Sequence, residues 1–252
     1  MSNDSTFPAP TAFRSAFPTT HWTVVLRAGE GSDTQARAAL ESLCSQYWYP
    51  LYAFVRRQGR TRHEAEDCTQ EFFARLLAGS TVAHARPERG RFRTFLLAAL
   101  RNFLTNEWHR ARAEKRGGGQ TLFSLDLESA DKRFAHEPVD PGLTPEQAYD
   151  RSWAIGLIDA AIADLREEYS KSGRGVQFAA LQPLVWGNPA NESLAEPAAR
   201  IGMNAHAFTV ALYRLRRRFG ERLRAVVVET VADAKDVDGE LRHLIAAVST
   251  HS

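Results

Sequence analysis

The spacing of its apolar residues is the feature that most constrains this chain. Along most of its length they recur at intervals of three and four, the period of amphipathic α-helices. Stretches that alternate apolar and polar residues, as strands do, are scarce, and VVV at 226–228 continues a helical segment. We therefore predict an all-α fold. Its predicted helices cover 34–57, 63–78, 91–115, 145–170, 193–202 and 205–228, with a short amphipathic helix in the tail sequence ELRHLIAAV.

Glycine and proline divide the chain. The run GGGQ at 117–120 ends a long basic helix, and EPVDPGLTPEQ at 137–147 adds three prolines, a composition typical of a linker. We predict two small helical domains joined by a flexible linker, the second domain containing a helix-turn-helix. The predicted boundaries are a disordered N-terminus at 1–19, a first domain at 20–116, a linker at 117–144, a second domain at 145–228 and a C-terminal extension at 229–252.

The charges are segregated, although the formal net charge of the chain is only +2. Residues 86–116 carry eight arginines and one lysine against three glutamates, and residues 200–224 carry seven arginines against one glutamate. Between them, residues 124–168 have eleven acidic and four basic side chains. Two basic elements separated by an acidic connector indicate a protein that binds a polyanion at two places.

The composition excludes several classes of protein. No apolar run approaches the roughly 20 residues that a membrane span needs. The first residues lack the apolar core of a signal peptide, so we expect a cytoplasmic protein with no membrane segment. Cys44 and Cys68 both lie in apolar helical patterns, where small buried thiols are expected.

The second basic element has the form of a helix-turn-helix. Ser193 and Glu196 are spaced as a capping box, Gly202 suits a tight turn, and Asn204 can cap the next helix. Four apolar residues of that helix would form its buried stripe, namely Phe208, Leu212, Leu215 and Phe219. The exposed face has the polar and basic chemistry that reads duplex DNA. The candidate DNA-binding residues are His206, Thr209, Tyr213, Arg214, Arg216, Arg217 and Arg218.

The first basic element combines arginines with aromatic residues. Phe92 lies between Arg91 and Arg93 in a predicted basic loop, as a single-stranded nucleic acid would require for base stacking between phosphate contacts. A polar face follows along the helix, and asparagine can pair bidentately with adenine. The candidate residues of this element are Arg89, Arg91, Phe92, Arg93, Arg101, Asn102, Asn106 and His109.

A cluster of acidic residues occupies HEAEDCTQEFFARLL at 63–77. At about 100° per residue, one compact acid-amide patch faces away from the apolar side of the helix. The candidate residues are Glu66, Asp67, Gln70 and Glu71, with Phe73 at the border. Such a patch repels phosphates and suits a basic protein surface, although an ordinary solvated face is an alternative.

Two chemical readings of this cluster remain as alternatives. His63, Glu64 and Asp67 resemble a zinc-binding H-E-x-x-H only loosely, since the second histidine is absent. Acid–base catalysis would need a cleft and a raised pKa that a sequence does not reveal. We expect no metal, no cofactor and no catalytic residues.

Together these stretches resemble the bacterial RNA polymerase sigma factors of the extracytoplasmic-function (ECF) class, from about residue 20 to 228. Residues 65–73 carry the family's A-E-D-x-x-Q-E-x-F pattern, RGRFRTFLLAALRNFLTNEW resembles the loop and helix that follow, and residues 193–219 resemble its helix-turn-helix. The resemblance implies that the protein is not an enzyme.

The resemblance also implies a role for each element. The patch at Asp67, Gln70 and Glu71 would dock on the clamp helices of the largest subunit of core RNA polymerase, and the second domain on the flap of the second-largest subunit. The loop at 89–94 and the following helix would melt the −10 promoter element, with a flipped base near Phe92. The helix from His206 would read the −35 element, and an anti-sigma factor or other regulatory protein is a further partner that the family allows.

The chain departs from the family pattern at Thr209, where a basic residue is usual, at Pro197, in the insertion at 171–193 and in the extension at 229–252. The rival interpretation is a helix-turn-helix regulator that binds DNA without polymerase. It explains 193–219 but leaves the acidic patch and the first basic element unused. A metal hydrolase built on His63, Glu64 and Asp67 is a more distant alternative.

Overall fold

The computed structural model describes residues 34–77, 91–111, 142–186 and 194–249, and within them the regular structure is entirely helical. The all-α prediction is therefore confirmed. The eight α-helices of the described residues are α1 (Thr34–Arg57), α2 (Arg62–Leu77), α3 (Phe92–Ala111), α4 (Pro145–Lys171), α5 (Gly175–Leu181), α6 (Ala195–Arg200), α7 (Ala205–Thr230) and α8 (Val237–Ser249). Short 3₁₀ turns follow α5 at Gln182–Leu184 and precede α8 at Ala234–Asp236.

Most of the predicted helices agree with the structure to within a few residues, and α1 has the predicted bounds. The helix predicted at 193–202 is shorter, since α6 spans Ala195–Arg200. Helix α5 was not predicted, because it lies in the insertion at 171–193 and has only seven residues. The tail helix is present as α8 and begins three residues before the apolar pattern suggested.

Local sequence signals explain how α4 begins. The Thr144 side chain accepts a hydrogen bond from the backbone N–H of Gln147, whose side chain accepts one from the backbone N–H of Thr144. This reciprocal capping box satisfies two donors that a helix start would otherwise leave unpaired. Pro145 occupies the first helical position, where its missing N–H costs nothing.

Helix α1 lies at the centre of the hydrophobic core. Its second half carries a dense set of buried side chains, namely Tyr47, Trp48, Leu51, Tyr52 and Phe54. Through them α1 packs against α2 on one side and against α4 on another, while α3 contacts α2. The broad apolar face of α1 explains this position, because a helix that is apolar over much of its surface is stable only when covered by several neighbours.

Helix α4 connects the two halves of the chain. It packs against α1 of the first half and against α5, α7 and α8 of the second, so helices from both predicted domains share one hydrophobic core. The N-terminal segment at 1–19 lies outside the described residues, as does nearly all of the linker at 117–144. The division into two domains therefore stays a prediction. In the structure, α4 of the second predicted domain packs directly on α1 of the first.

Two further observations bear on the class of protein. None of the described helices is both long enough and apolar enough to span a membrane. Cys44 is buried and Cys68 partly buried in the core around α1 and α2, which agrees with the small buried thiols expected from the sequence.

Candidate functional site

The acidic residues at the start of α2 are engaged in forming the helix. The backbone N–H of Thr61 donates to Glu64 Oε2 (2.9 Å), and the backbone N–H of Glu64 donates to Thr61 Oγ1 (3.3 Å). This is a capping box, and the hydrogen bond from the Thr61 backbone is the main reason that the pKa of Glu64 is lowered. Neighbouring His63 is almost fully exposed, 3.7 Å from Glu66. Among the described residues no cluster of histidine, cysteine and carboxylate side chains could hold a metal ion.

The acid-amide patch of α2 is smaller than the sequence predicted. Asp67 is exposed and Gln70 and Glu71 are partly exposed, whereas Glu66 is only 8% exposed and accepts a hydrogen bond from Arg62 Nε (2.8 Å). Glu71 is bound by Arg75 Nε, also at 2.8 Å. The solvent-facing part of the patch is therefore Asp67, Gln70 and Glu71, which we call the α2 patch.

Phe73 does not border the α2 patch as expected. It is 1% exposed and packs against Phe72 and Trp48, with ring centroids 5.5 and 6.2 Å away. The helical projection placed Phe73 at the edge of the apolar side of α2. Side chains of α1, Trp48 among them, cover that edge, so Phe73 lies in the core. The prediction that the Phe73 ring contacts a partner at the surface is wrong for this structure. The buried ring instead supports the helix that carries the patch.

The basic element around α3 also differs from the expectation. Phe92 is the first residue of α3 rather than part of a loop, and its side chain is completely buried. Its ring meets Tyr47 edge-on at 5.3 Å and lies 6.0 Å from Phe95. An aromatic ring that stacks on a base must be accessible, so the exposed stacking platform expected at Phe92 is absent here.

Arg91 and Arg93 are held by acidic residues from distant parts of the chain. Glu240 of α8 is completely buried and lies 2.7 Å from Arg91 Nε and 2.8 Å from Arg93 Nε. Arg93 also pairs with Asp150 of α4, and Asp150 lies 3.1 Å from His243 Nε2. We call these five residues the arginine–acid cluster.

Neighbouring side chains complete the surroundings of Arg93. Its guanidinium lies 4.9 Å from the centre of the Trp153 ring, and the Tyr149 hydroxyl donates to its backbone carbonyl (3.0 Å). Burial alone would lower the pKa of Arg93, but the hydrogen bond to Glu240 and the charges of Asp150 and Glu240 raise it above its usual value. Arg93 is thus a buried, permanently charged residue that only carboxylates or another anion can accompany.

The polar face farther along α3 is partly accessible. Asn102 and Asn106 are exposed, while Arg101, about half exposed, pairs with Glu146 near the start of α4. The Arg101 guanidinium also lies 5.8 Å from the centre of the Phe54 ring. Arg89, and the side chain of His109, lie outside the described residues.

Helices α6 and α7 are joined by the tight turn that the sequence indicated. Gly202 has φ +69°, a left-handed conformation that favours glycine. The Asn204 side chain accepts a hydrogen bond from the backbone N–H of Ala207 (2.7 Å), as an N-cap does. Ser193 lies outside the described residues, so its capping box with Glu196 is untested. Pro197 falls in the first turn of α6, where a missing N–H leaves the helix intact.

Helix α7 presents a polar face to solvent and an apolar face to α4. The four predicted stripe residues, Phe208, Leu212, Leu215 and Phe219, are all buried. His206, Thr209, Tyr213, Arg214 and Arg217 are all exposed on the other side.

Two arginines that flank the exposed face of α7 are bound to neighbouring elements. Tyr213, at 69% exposed, is a large side chain with little cover. Arg216 donates to the carbonyl of Leu184 (2.6 Å), and Arg218 pairs with Glu168 of α4. These two arginines therefore fix α7 to its neighbours in this structure, whereas Arg217 pairs with Glu221 one turn along, which raises the pKa of Arg217.

Comparison with known proteins gives a match to part of the chain. A family model described as Sigma-70 region 2 matches residues 44–114, less than a third of the chain. No curated protein and no solved structure matches. The matched residues contain the whole of α2 and α3.

The sequence did not identify the acidic half of the arginine–acid cluster. Asp150 lies in the acidic stretch at 124–168, which the sequence led us to interpret as a connector. Glu240 lies in the C-terminal extension, to which the sequence assigned no role. The only local signal was the amphipathic pattern of the tail, which predicts that one face is covered but not by what. Glu240 and Arg93 are 147 residues apart, and only the folded chain brings them together.

Proposed function

We propose that this protein is a sigma factor of the ECF class that binds core RNA polymerase and directs promoter-specific initiation of transcription. One observation carries the proposal: the region 2 match spans both the α2 patch and the basic face of α3, and a helix-turn-helix-like pair with an exposed basic face follows. Along the chain, the polymerase-binding patch on α2 would come first, the −10 surface on α3 next and the −35 surface on α7 last, which is the order in the ECF class. Such a protein would act in the cytoplasm.

The docking surface in this proposal is the α2 patch. Asp67 is exposed and Glu71 is 42% exposed, so both carboxylates can reach a partner. A negative patch would repel nucleic acid but complements a basic helical surface such as the clamp helices of the largest polymerase subunit. The flap of the second-largest subunit would receive the second half of the chain.

The DNA-reading surfaces are divided between α3 and α7. Asn102 and Asn106 are exposed and would read the −10 element, with Arg101 next to them. His206, Thr209 and Tyr213 lie in the first turns of α7, the part of a recognition helix that contacts base edges in the major groove. Arg214 and Arg217 would bind phosphates of the −35 element.

Charge reversal of the α2 patch tests this proposal. The double variant Asp67→Lys, Glu71→Lys should lower the affinity for core RNA polymerase at least tenfold, about 1.4 kcal/mol, because repulsion replaces attraction. Binding would be measured by fluorescence anisotropy with labelled protein and by promoter-dependent transcription in vitro. Glu167→Lys controls for a charge reversal outside the patch, since Glu167 is exposed on α4 and pairs only with Lys171 in the next turn among the described residues.

The results separate the two candidate functions. A loss of polymerase binding in the double variant, with duplex DNA binding intact and the control unchanged, supports the sigma factor. An unchanged polymerase affinity in the double variant refutes docking through the α2 patch. If wild-type protein binds duplex DNA but no polymerase at all, the helix-turn-helix regulator is the correct interpretation.

A further inference from the structure

From the arginine–acid cluster we infer that α8 is an autoinhibitory element. Helix α8 covers Arg91 and Arg93 at the start of α3, which we call the α3 entrance. DNA of the −10 element can bind there only after α8 has left. The inference rests on the proposed function, because it concerns access to one of the two proposed DNA-binding surfaces. It gives the C-terminal extension a role that the family match, which ends at residue 114, does not cover.

Glu240 binds Arg91 and Arg93 in the way that a phosphate group would. Glu240 offers both carboxylate oxygens to two arginines, with its Oε2 at 2.7 Å from Arg91 and its Oε1 at 2.8 Å from Arg93. Guanidinium groups bind carboxylates and phosphates with the same planar geometry. Glu240 therefore fills the position that a backbone phosphate of bound DNA would take.

Every described arginine of the proposed −10 surface has an acidic partner from the second half of the chain. Arg91 and Arg93 pair with Glu240, Arg93 also with Asp150, and Arg101 with Glu146. These carboxylates come from α4 and α8, which pack against each other. Departure of α8 removes Glu240 from two of these three arginines, so the acidic cover that repels incoming DNA falls.

The docking of α8 against α4 and α7 buries few of its residues completely. The helix has thirteen residues, and only Val237, Glu240 and Leu244 are fully buried. Ile245, on the outer side, is 52% exposed. Helices of this length are marginal in isolation, so α8 depends on its docking and will be lost as a unit once Glu240 is released.

The closing experiment compares Glu240→Gln with Asp238→Asn. Asp238 is exposed on the same helix, pairs with Arg224 of α7 and does not touch the cluster, so its neutralisation controls for the loss of one charge. The probe is a fluorescein-labelled single-stranded DNA of twelve nucleotides, and its affinity is measured by anisotropy over a range of salt concentrations. Circular dichroism and thermal melts establish that each variant is folded.

Glu240→Gln should bind the probe at least tenfold more tightly than wild type, and Asp238→Asn within twofold. Because Arg91 loses its contact with Glu240 while Arg93 keeps its pair with Asp150, the slope of log K against log salt should steepen by about 0.7, at about 0.7 per phosphate on single-stranded DNA. A folded Glu240→Gln variant with wild-type affinity and slope would refute the inference.

A measurement on the wild-type chain covers the case in which the variant does not fold. Backbone amides at 237–249 should lose their protection from hydrogen exchange when the probe is added at saturation. If the probe binds at the α3 entrance while α8 stays protected, α8 is a permanent part of the fold and the inference is wrong.

Failure of the inference can be told from failure of the proposed function. Polymerase binding and transcription by wild-type protein, together with a protected α8, refute autoinhibition and leave the sigma factor intact. Absence of polymerase binding in both wild type and Glu240→Gln refutes the proposed function, whatever the probe affinity.

Discussion

Replacing Phe92 by alanine distinguishes a core residue from a base-stacking residue. The ring is completely buried between Tyr47 and Phe95, so its removal leaves a cavity that the first turn of α3 cannot fill. Buried phenylalanine-to-alanine changes cost about 3–5 kcal/mol. We expect this loss in the free energy of unfolding, measured by urea denaturation followed by far-ultraviolet circular dichroism. At an m-value of about 3 kcal/mol/M it lowers the midpoint by about 1 M or more.

Two control variants sharpen the experiment. Phe92→Leu keeps most of the buried volume and should cost less than about 1.5 kcal/mol. Tyr213→Ala removes an aromatic side chain that is 69% exposed, so stability should change by less than about 0.5 kcal/mol while binding to promoter duplex falls. The reasoning is refuted if Phe92→Ala keeps wild-type stability and loses only binding to single-stranded DNA.

Two further predictions concern the turn before α7 and the buried tyrosines. Gly202→Ala should destabilise the protein by about 1–2 kcal/mol purely through its left-handed backbone, since no atom lies within 4 Å of the added Cβ. Asn204→Ala should destabilise it by about 1 kcal/mol through loss of the N-cap hydrogen bond. Thermal unfolding of both variants measures these losses, and an unchanged stability of Gly202→Ala would contradict the prediction. Burial raises the pKa of Tyr47 and of Tyr149 above that of an unfolded tyrosine, so the stability that their protonated forms contribute is complete below pH about 10 and is lost as the pH rises beyond it. Urea denaturation at pH 8 to 11 should show a steeper loss for wild type than for Tyr47→Phe, and equal slopes would show that the phenol is not the cause.

Much of the fold could be predicted from the sequence, because helix periodicity and capping are local. The apolar spacing located α1, α2, α3, α4 and α7. The same locality explains why Gly202 and Asn204 were identified correctly, since a turn glycine and an N-cap act within a few residues of their own position. The short helix α5 was missed because seven residues are too few for a periodic pattern to stand out.

The candidate surfaces were predicted less completely, because exposure is a property of packing. Phe92 and Phe73 had the sequence surroundings of surface aromatics, beside arginines in one case and carboxylates in the other. Their burial depends on α1, whose side chains cover both rings. On α7, by contrast, the neighbouring helices α4, α5, α6 and α8 cover the side that carries the apolar stripe. The predicted exposed residues His206, Thr209, Tyr213, Arg214 and Arg217 are exposed.

The sequence by itself therefore determined the helices, the turn before α7, the acidic face of α2 and the clustering of arginines around α3. Only the tertiary structure decided which of those charges face solvent and which are matched inside the protein. Arg93 meets Glu240 across 147 residues of chain because α4 and α8 pack together against the first half. The physical reason is that a buried guanidinium must have an anionic partner, but periodicity and composition do not specify which carboxylate the fold will bring to it.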